Sequence, residues 1–204
     1  MYHGERLNSI THLVGTALAI AGSAVLIAHA ASQGDPWKIV AFSIFGAGLV
    51  GLYAISTLYH SIRGRAKAVL RRLDHAAIFL LIAGTYTPFT LVSLRGAFGW
   101  ALFAAIWALA LHGIWNAWRR KDGRDPSPVP HLVMGWLGLT AVLPLADELG
   151  WAGIGWLAAG GALYTAGVLF YLNDTRWRHA HGIWHLFVMA GSASHFVTVL
   201  FFID

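Results

Sequence analysis

The chain has 204 residues, 57% of them hydrophobic and 11% charged, with 11 His, no Cys and a formal charge of +5. A soluble domain carries roughly a quarter charged residues, so this chain has too few to cover a water-facing surface. No disulfide framework and no thiolate metal site can exist without Cys, and in a membrane protein a basic excess bears on orientation rather than on nucleic acid.

A membrane helix needs about 20 mostly apolar residues. Seven stretches meet that requirement, near 10–31, 37–61, 75–94, 97–118, 129–147, 151–172 and 181–203. The expectation is an all-α membrane protein, a single seven-helix transmembrane domain over residues 1–204. The breaks carry turn or charge signals: Gly34-Asp35-Pro36, the basic run from Arg63 to Arg72, and Asp125-Pro126-Ser127-Pro128. Ala28-His29-Ala30 has the form of a signal cleavage site, but the apolar run before it is long and Glu5 interrupts the basic region a signal peptide needs. The first stretch is therefore expected to remain as a span. Pro88 and Pro144 fall inside spans and are expected to kink them.

Orientation follows from the loops. With the N-terminus in the cytoplasm, the inner segments hold Arg6, then Arg63, Arg65, Lys67, Arg71 and Arg72, then Arg119, Arg120, Lys121 and Arg124, then Arg176 and Arg178. These are twelve of the 14 Lys and Arg; the outer segments keep Lys38 and Arg95. The positive-inside rule then gives N-in, C-out.

That topology brings distant residues to one membrane level. Ser56 and His60 end the second span, Asp74 opens the third, His181 and His185 open the seventh, and Glu5, Asn8 and His12 open the first. Ser56 and His60 share a helix face at i,i+4, as do His181 and His185. Glu5, Asn8 and His12 form one stripe. Ionisable groups inside a span are costly unless paired or facing a cavity, which makes them functional candidates. Three neutral imidazoles without a thiolate suit zinc and leave a fourth position open, the catalytic pattern. Asp74 is placed to deprotonate a water there, and Ser56 to hydrogen-bond the water or an oxyanion. Simpler roles stand beside these: a solvated His pair, Asp74 as a helix N-cap, and Ser56 as helix–helix contact. His29, His75, His112, His131 and His179 read as interfacial or structural. His195 lies about 15 Å along the helix from His185, too far to share an ion, and is expected to hydrogen-bond inside the bundle.

The segments Glu5-Arg6-Leu7-Asn8-Ser9-Ile10-Thr11-His12, Ser56-Thr57-Leu58-Tyr59-His60, Leu73-Asp74 and His181-Gly182-Ile183-Trp184-His185 resemble the hemolysin III group. This group is the bacterial branch of the progestin and adipoQ receptor family. The resemblance covers nearly the whole chain. It implies a multi-pass plasma-membrane protein of seven helices with a cytoplasmic N-terminus. It also implies zinc held at His60, His181 and His185, with Asp74 contacting the zinc-bound water. Glu5, Asn8 and His12 are candidates for a supporting layer. The receptors of that family are thought to act as ceramidases, and the bacterial members have been linked to membrane lipid homeostasis. The expected function is hydrolysis of a lipid amide or ester, with a membrane lipid or acyl chain as the bound partner. A membrane sensor with structural zinc and a membrane-lytic factor are the alternatives. No ring of charge midway along the spans marks an ion path.

The charge asymmetry carries a direct test: a reporter inserted between Arg63 and Arg72 is expected to be cytoplasmic, and one fused after Asp204 extracytoplasmic. A cytoplasmic C-terminus would overturn the topology.

Overall fold

The computed structural model describes residues 4–119 and 127–203. Arg120, Lys121, Arg124, Asp125, Pro126 and Asp204 lie outside the described residues. All regular structure among the described residues is helical. The order is α1 (Arg6–Gln33), α2 (Pro36–Ser61), α3 (Ala66–Pro88), a π-helical turn (Phe89–Ser93), α4 (Ala97–Arg119), α5 (Val129–Trp136), a 3₁₀ turn (Leu137–Ala141), α6 (Val142–Leu172) and α7 (Ala180–Phe202). Among the described residues, six helical runs are long and apolar enough to cross a membrane.

Local chemistry sets the ends. Gly34 takes the left-handed conformation at the end of α1, φ 70°, and its N–H donates to the Ala31 carbonyl, as a helix C-cap requires. Asp35 caps α2 by accepting from the Trp37 and Lys38 amides, with Pro36 in the first turn, where its missing N–H costs nothing. α3 starts about nine residues earlier than the apolar pattern suggests, at Ala66. Lys67, Arg71 and Arg72 therefore belong to a helix rather than a loop. Asp74 is an interior residue of α3, which removes the N-cap reading.

The fifth run, Val129–Leu172, is 44 residues long. As a straight helix it would extend about 66 Å, roughly twice the hydrocarbon thickness of a bilayer. It does not stay straight. Gly150 is non-helical at φ 66°, ψ 167°, and the chain folds back there. Trp136 Nε1 donates to Thr165 Oγ1 at 3.0 Å across 29 positions of sequence. Pro144 does not produce the bend, because it stands in the first turn of α6. Pro88 ends α3 and leads into the π-helical turn.

The outer faces are apolar, and a group of polar side chains is buried beside an apolar core that includes Leu26, Phe42 and Phe45. Leu18, Leu111, Leu143, Leu169 and Phe201 are exposed, as lipid-facing positions should be. Asn8, His12, Ser56, His60, Asp74, His185 and Ser192 are buried. Close backbone approach makes this packing possible. A Cβ on Gly84 would stand 3.2 Å from the Ile44 carbonyl oxygen, so α3 meets α2 through a small residue, as membrane helices often do. Deeper in the bundle, Ser192 of α7 accepts a hydrogen bond from Tyr53 of α2 at 2.7 Å and is hydrogen-bonded to Tyr164 of α6 at 2.8 Å.

The conformation of Gly150 is one that only glycine adopts readily, and a Cβ there would meet no neighbour within 4 Å. Gly150→Ala is therefore expected to destabilise the protein through the backbone alone, by about 1–3 kcal/mol. Thermal unfolding in detergent measures this. An unchanged midpoint would show that the bend is not under strain.

Candidate metal centre

Two helix ends bring the three imidazoles together: the last turn of α2 supplies His60, and the first two turns of α7 supply His181 and His185. One nitrogen from each ring lies within 4.8 Å of the other two. The rings are mutually edge-on, with centroids 4.8–5.1 Å apart and interplanar angles of 60–69°. His60 and His185 are 2% and 0% exposed.

Every Nδ1 of the three is anchored. His60 Nδ1 donates to Glu5 Oε2 at 2.6 Å, and His181 Nδ1 lies 3.3 Å from Asp174 Oδ2. His185 Nδ1 is shared between the Asn8 carbonyl oxygen at 3.2 Å and Thr11 Oγ1 at 3.1 Å. Since Thr11 Oγ1 already donates to the Leu7 and Asn8 carbonyls, it accepts from His185. Acceptors at Nδ1 fix the tautomer with its proton on Nδ1 and its lone pair on Nε2. All three Nε2 atoms are buried and have no hydrogen-bond partner. Outer-layer carboxylates and carbonyls orient metal-binding imidazoles in this same way, so the three-His group can hold a metal ion.

Glu5 joins several parts. Its Oε2 also accepts from Asn8 Nδ2 at 2.7 Å, and its Oε1 lies 3.6 Å from Lys67 Nζ. Burial alone would raise the Glu5 carboxyl, but the hydrogen bonds from His60 and Asn8 outweigh it and hold the group down at about 2. Glu5 is thus ionised and acceptor-only at neutral pH. His12 lies flat against His185, with centroids 3.5 Å apart and planes 11° from parallel.

Two cavities meet here. A polar one of about 290 Å³ is bounded by Glu5, Asn8, His60, Asp174 and His181. An apolar chamber of about 150 Å³ is walled by residues such as Leu52, Ile78, Leu81 and Val188. Asp74 stands on the walls of both, while Ser56 and His12 line only the chamber. His195 also lines the chamber, and its Nε2 donates to the Leu157 carbonyl at 3.2 Å. His75 and His131, read from sequence as interfacial or structural, line the chamber as well. Asp174 went unnoticed in the sequence; its only signal is a carboxylate seven positions before His181. Thr11 lay within a recognised segment, but its contact with His185 crosses 174 positions.

Fold and centre together define a class: a multi-pass membrane protein with a buried, metal-competent three-histidine group at one end of its helices. The chain belongs to the Haemolysin-III related family, which matches residues 1–196. It is similar to Hemolysin-3 of Bacillus cereus, 43% identical over 98% of this chain and 91% of that protein. It is also similar to the Hemolysin-3 homolog of Bacillus subtilis (strain 168), 46% identical over 97% and 93%. The human monocyte to macrophage differentiation factor is 30% identical over 94% of this chain and 81% of that protein.

The anchoring pattern predicts graded effects on the metal. His60→Ala, His181→Ala and His185→Ala are each expected to abolish stoichiometric metal binding. Glu5→Gln is expected to weaken affinity by about 10–100-fold, the usual worth of an orienting partner. Metal content and competition with a chelator read both. Full metal content in all three His variants would reject the ligand set.

Proposed function

We propose that this chain is a zinc-dependent hydrolase of a lipid amide or ester, acting in lipid homeostasis of a bacterial plasma membrane. The observation that carries this reading is the junction of the two cavities. Asp74 stands where the polar cavity meets the apolar chamber, and two of the three rings with an unpartnered Nε2, His60 and His181, line the polar cavity, with the His185 ring centroid within 5.1 Å of each. An amphiphile fits that division, with its head in the polar cavity and its acyl chain in the chamber, and its scissile bond falls at the boundary. The donor set is nitrogen-only, with no fourth imidazole converging on the group among the described residues, which suits an open catalytic zinc site.

Zinc held by His60, His181 and His185 would supply a Lewis acid and lower the pKa of water at the site. Asp74 takes a proton from the attacking water as general base. The water oxygen adds to the acyl carbon, the C–N or C–O bond breaks, and Asp74 returns the proton to the leaving amine or alkoxide. Ser56 Oγ, buried in the chamber wall beside Asp74, donates to the acyl oxygen as negative charge develops on it. The apolar chamber keeps bulk water from the acyl chain.

The same proposal includes the topology. We read the 44-residue run as two crossings folded at Gly150, which with the other five helices makes seven. An odd number places the termini on opposite sides, N-in and C-out, with the centre at the cytoplasmic face beside the basic residues of α3.

Asp74→Asn keeps size and most hydrogen bonding but removes the base. The variant is expected to retain zinc and lose about 10²–10⁴-fold in release of fatty acid from an amide or ester lipid. Ser56→Ala is expected to be milder, because water can replace the hydroxyl. Hydrolysis by Asp74→Asn at the wild-type rate would reject the mechanism. No zinc-dependent release from any such lipid by the wild type would favour a sensor with structural zinc.

A further inference from the structure

His12 is the one member of the cluster whose environment the metal centre does not explain. Its ring is 2% exposed, and neither nitrogen has a hydrogen-bond partner. A neutral imidazole always carries one N–H and one lone pair, and leaving such groups buried and unpaired is costly. The neighbouring imidazoles differ: each of those three has Nδ1 anchored and only Nε2 open. Coordination does not account for His12 either. Its ring is stacked face to face on His185, its edge meets Tyr53 at 5.0 Å, and its nitrogens are not among those that converge.

Its position indicates what it meets. His12 lines the apolar chamber and not the polar cavity. It therefore stands on the acyl side of the boundary where the scissile carbonyl is placed. Ser56, a hydroxyl donor on that wall, is already assigned to the carbonyl oxygen, and the chamber's further unpartnered atoms, His131 Nε2 and His195 Nδ1, belong to α5 and to the part of α7 ten residues beyond His185. A hydrogen-bonding atom that reaches His12 belongs to the next stretch of ligand, the first carbons of the acyl chain.

We propose that His12 is a specificity-determining residue that hydrogen-bonds an oxygen substituent near the carbonyl end of the acyl chain, so that hydroxylated acyl groups are preferred. This rests on the reading that the chamber receives an acyl chain, but not on catalysis. The imidazole accepts from a hydroxyl at that position or donates to it. An unsubstituted chain leaves both nitrogens bare.

The test is equilibrium binding of dodecanoic acid and its β-hydroxy analogue to the full-length, zinc-loaded protein in nanodiscs. The wild type is expected to bind the hydroxy acid about three- to tenfold more tightly, the worth of one neutral hydrogen bond. His12→Phe keeps a ring against His185 and removes both nitrogens. It is expected to bind the two acids equally, with zinc content and thermal midpoint unchanged. His12→Gln, which restores a donor and an acceptor, should recover part of the preference. Equal binding of the two acids by the wild type overturns the proposal without a variant and leaves the hydrolase reading standing. A preference that persists in His12→Phe overturns it too, as does loss of zinc from that variant, which would make His12 part of the metal site. Failure of both acids to bind the wild type would remove the acyl reading of the chamber and this inference with it. A hydroxy preference that depends on His12 in a protein without hydrolytic activity would uphold the inference alone.

Discussion

An imidazole nitrogen buried without a partner costs roughly 1–3 kcal/mol, and the end of this bundle gathers three of them within 4.8 Å of one another. That constraint organises the rest of the molecule. A divalent cation can meet three such lone pairs at once. The protein's part is to fix the tautomer and aim each ring. It does so through Glu5 for His60, Asp174 for His181, and Asn8 with Thr11 for His185. These partners come from α1 and its cap and from the turn before α7, so the centre is held by segments that supply no converging nitrogen themselves.

α1 consequently does more than cross the bilayer. Its first two turns carry a stripe in which Glu5, Asn8, Thr11 and His12 all face inward against α2 and α7. The opposite face, with Leu13, Val14 and Leu18, is exposed. In lipid there is little hydrophobic drive to bring helices together, so association rests on close packing and interhelical polar contacts. The hydrogen bonds of this stripe, the Tyr53–Ser192–Tyr164 junction and the approach of α3 to α2 at Gly84 are contacts of that kind. Together they hold the ends of α2 and α7 at the separation the imidazoles need.

The division between a polar cavity and an apolar chamber follows from the same layout. Residues at the helix ends and their caps are polar and bound the first cavity. Residues one or two turns deeper are Leu, Ile and Val and wall the second. Asp74 sits at the boundary because α3 begins at Ala66, so the carboxylate enters the bundle two turns into the helix rather than at its tip. A group that reaches both compartments is suited to a reaction on an amphiphile, whose reacting bond lies between a wet part and a dry part.

Hydropathy alone determined that the chain is helical and membrane-spanning. A run of about 20 apolar residues has no other stable form in lipid, where backbone groups must be satisfied within the segment. The i,i+4 spacings and the positions of the basic segments were enough to expect Ser56, His60, Asp74, His181 and His185 at one end of the helices, since helix period and charge count act along the chain. The tertiary structure decided what no local pattern encodes. Charge marked 63–72 as a loop, yet most of that run is helix, because Lys and Arg are good helix formers and apolar windows miss them. Pro144 promised a kink that Gly150 makes instead, since proline is harmless in a first turn and glycine alone accepts that backbone. Asp174 at His181, Glu5 at His60 and Thr11 at His185 are matters of aim between helices. So is the flat stacking of His12 on His185, which leaves His12 on the chamber wall rather than among the converging nitrogens. Sequence spacing states which residues share a face; only the packed bundle states which way each ring turns.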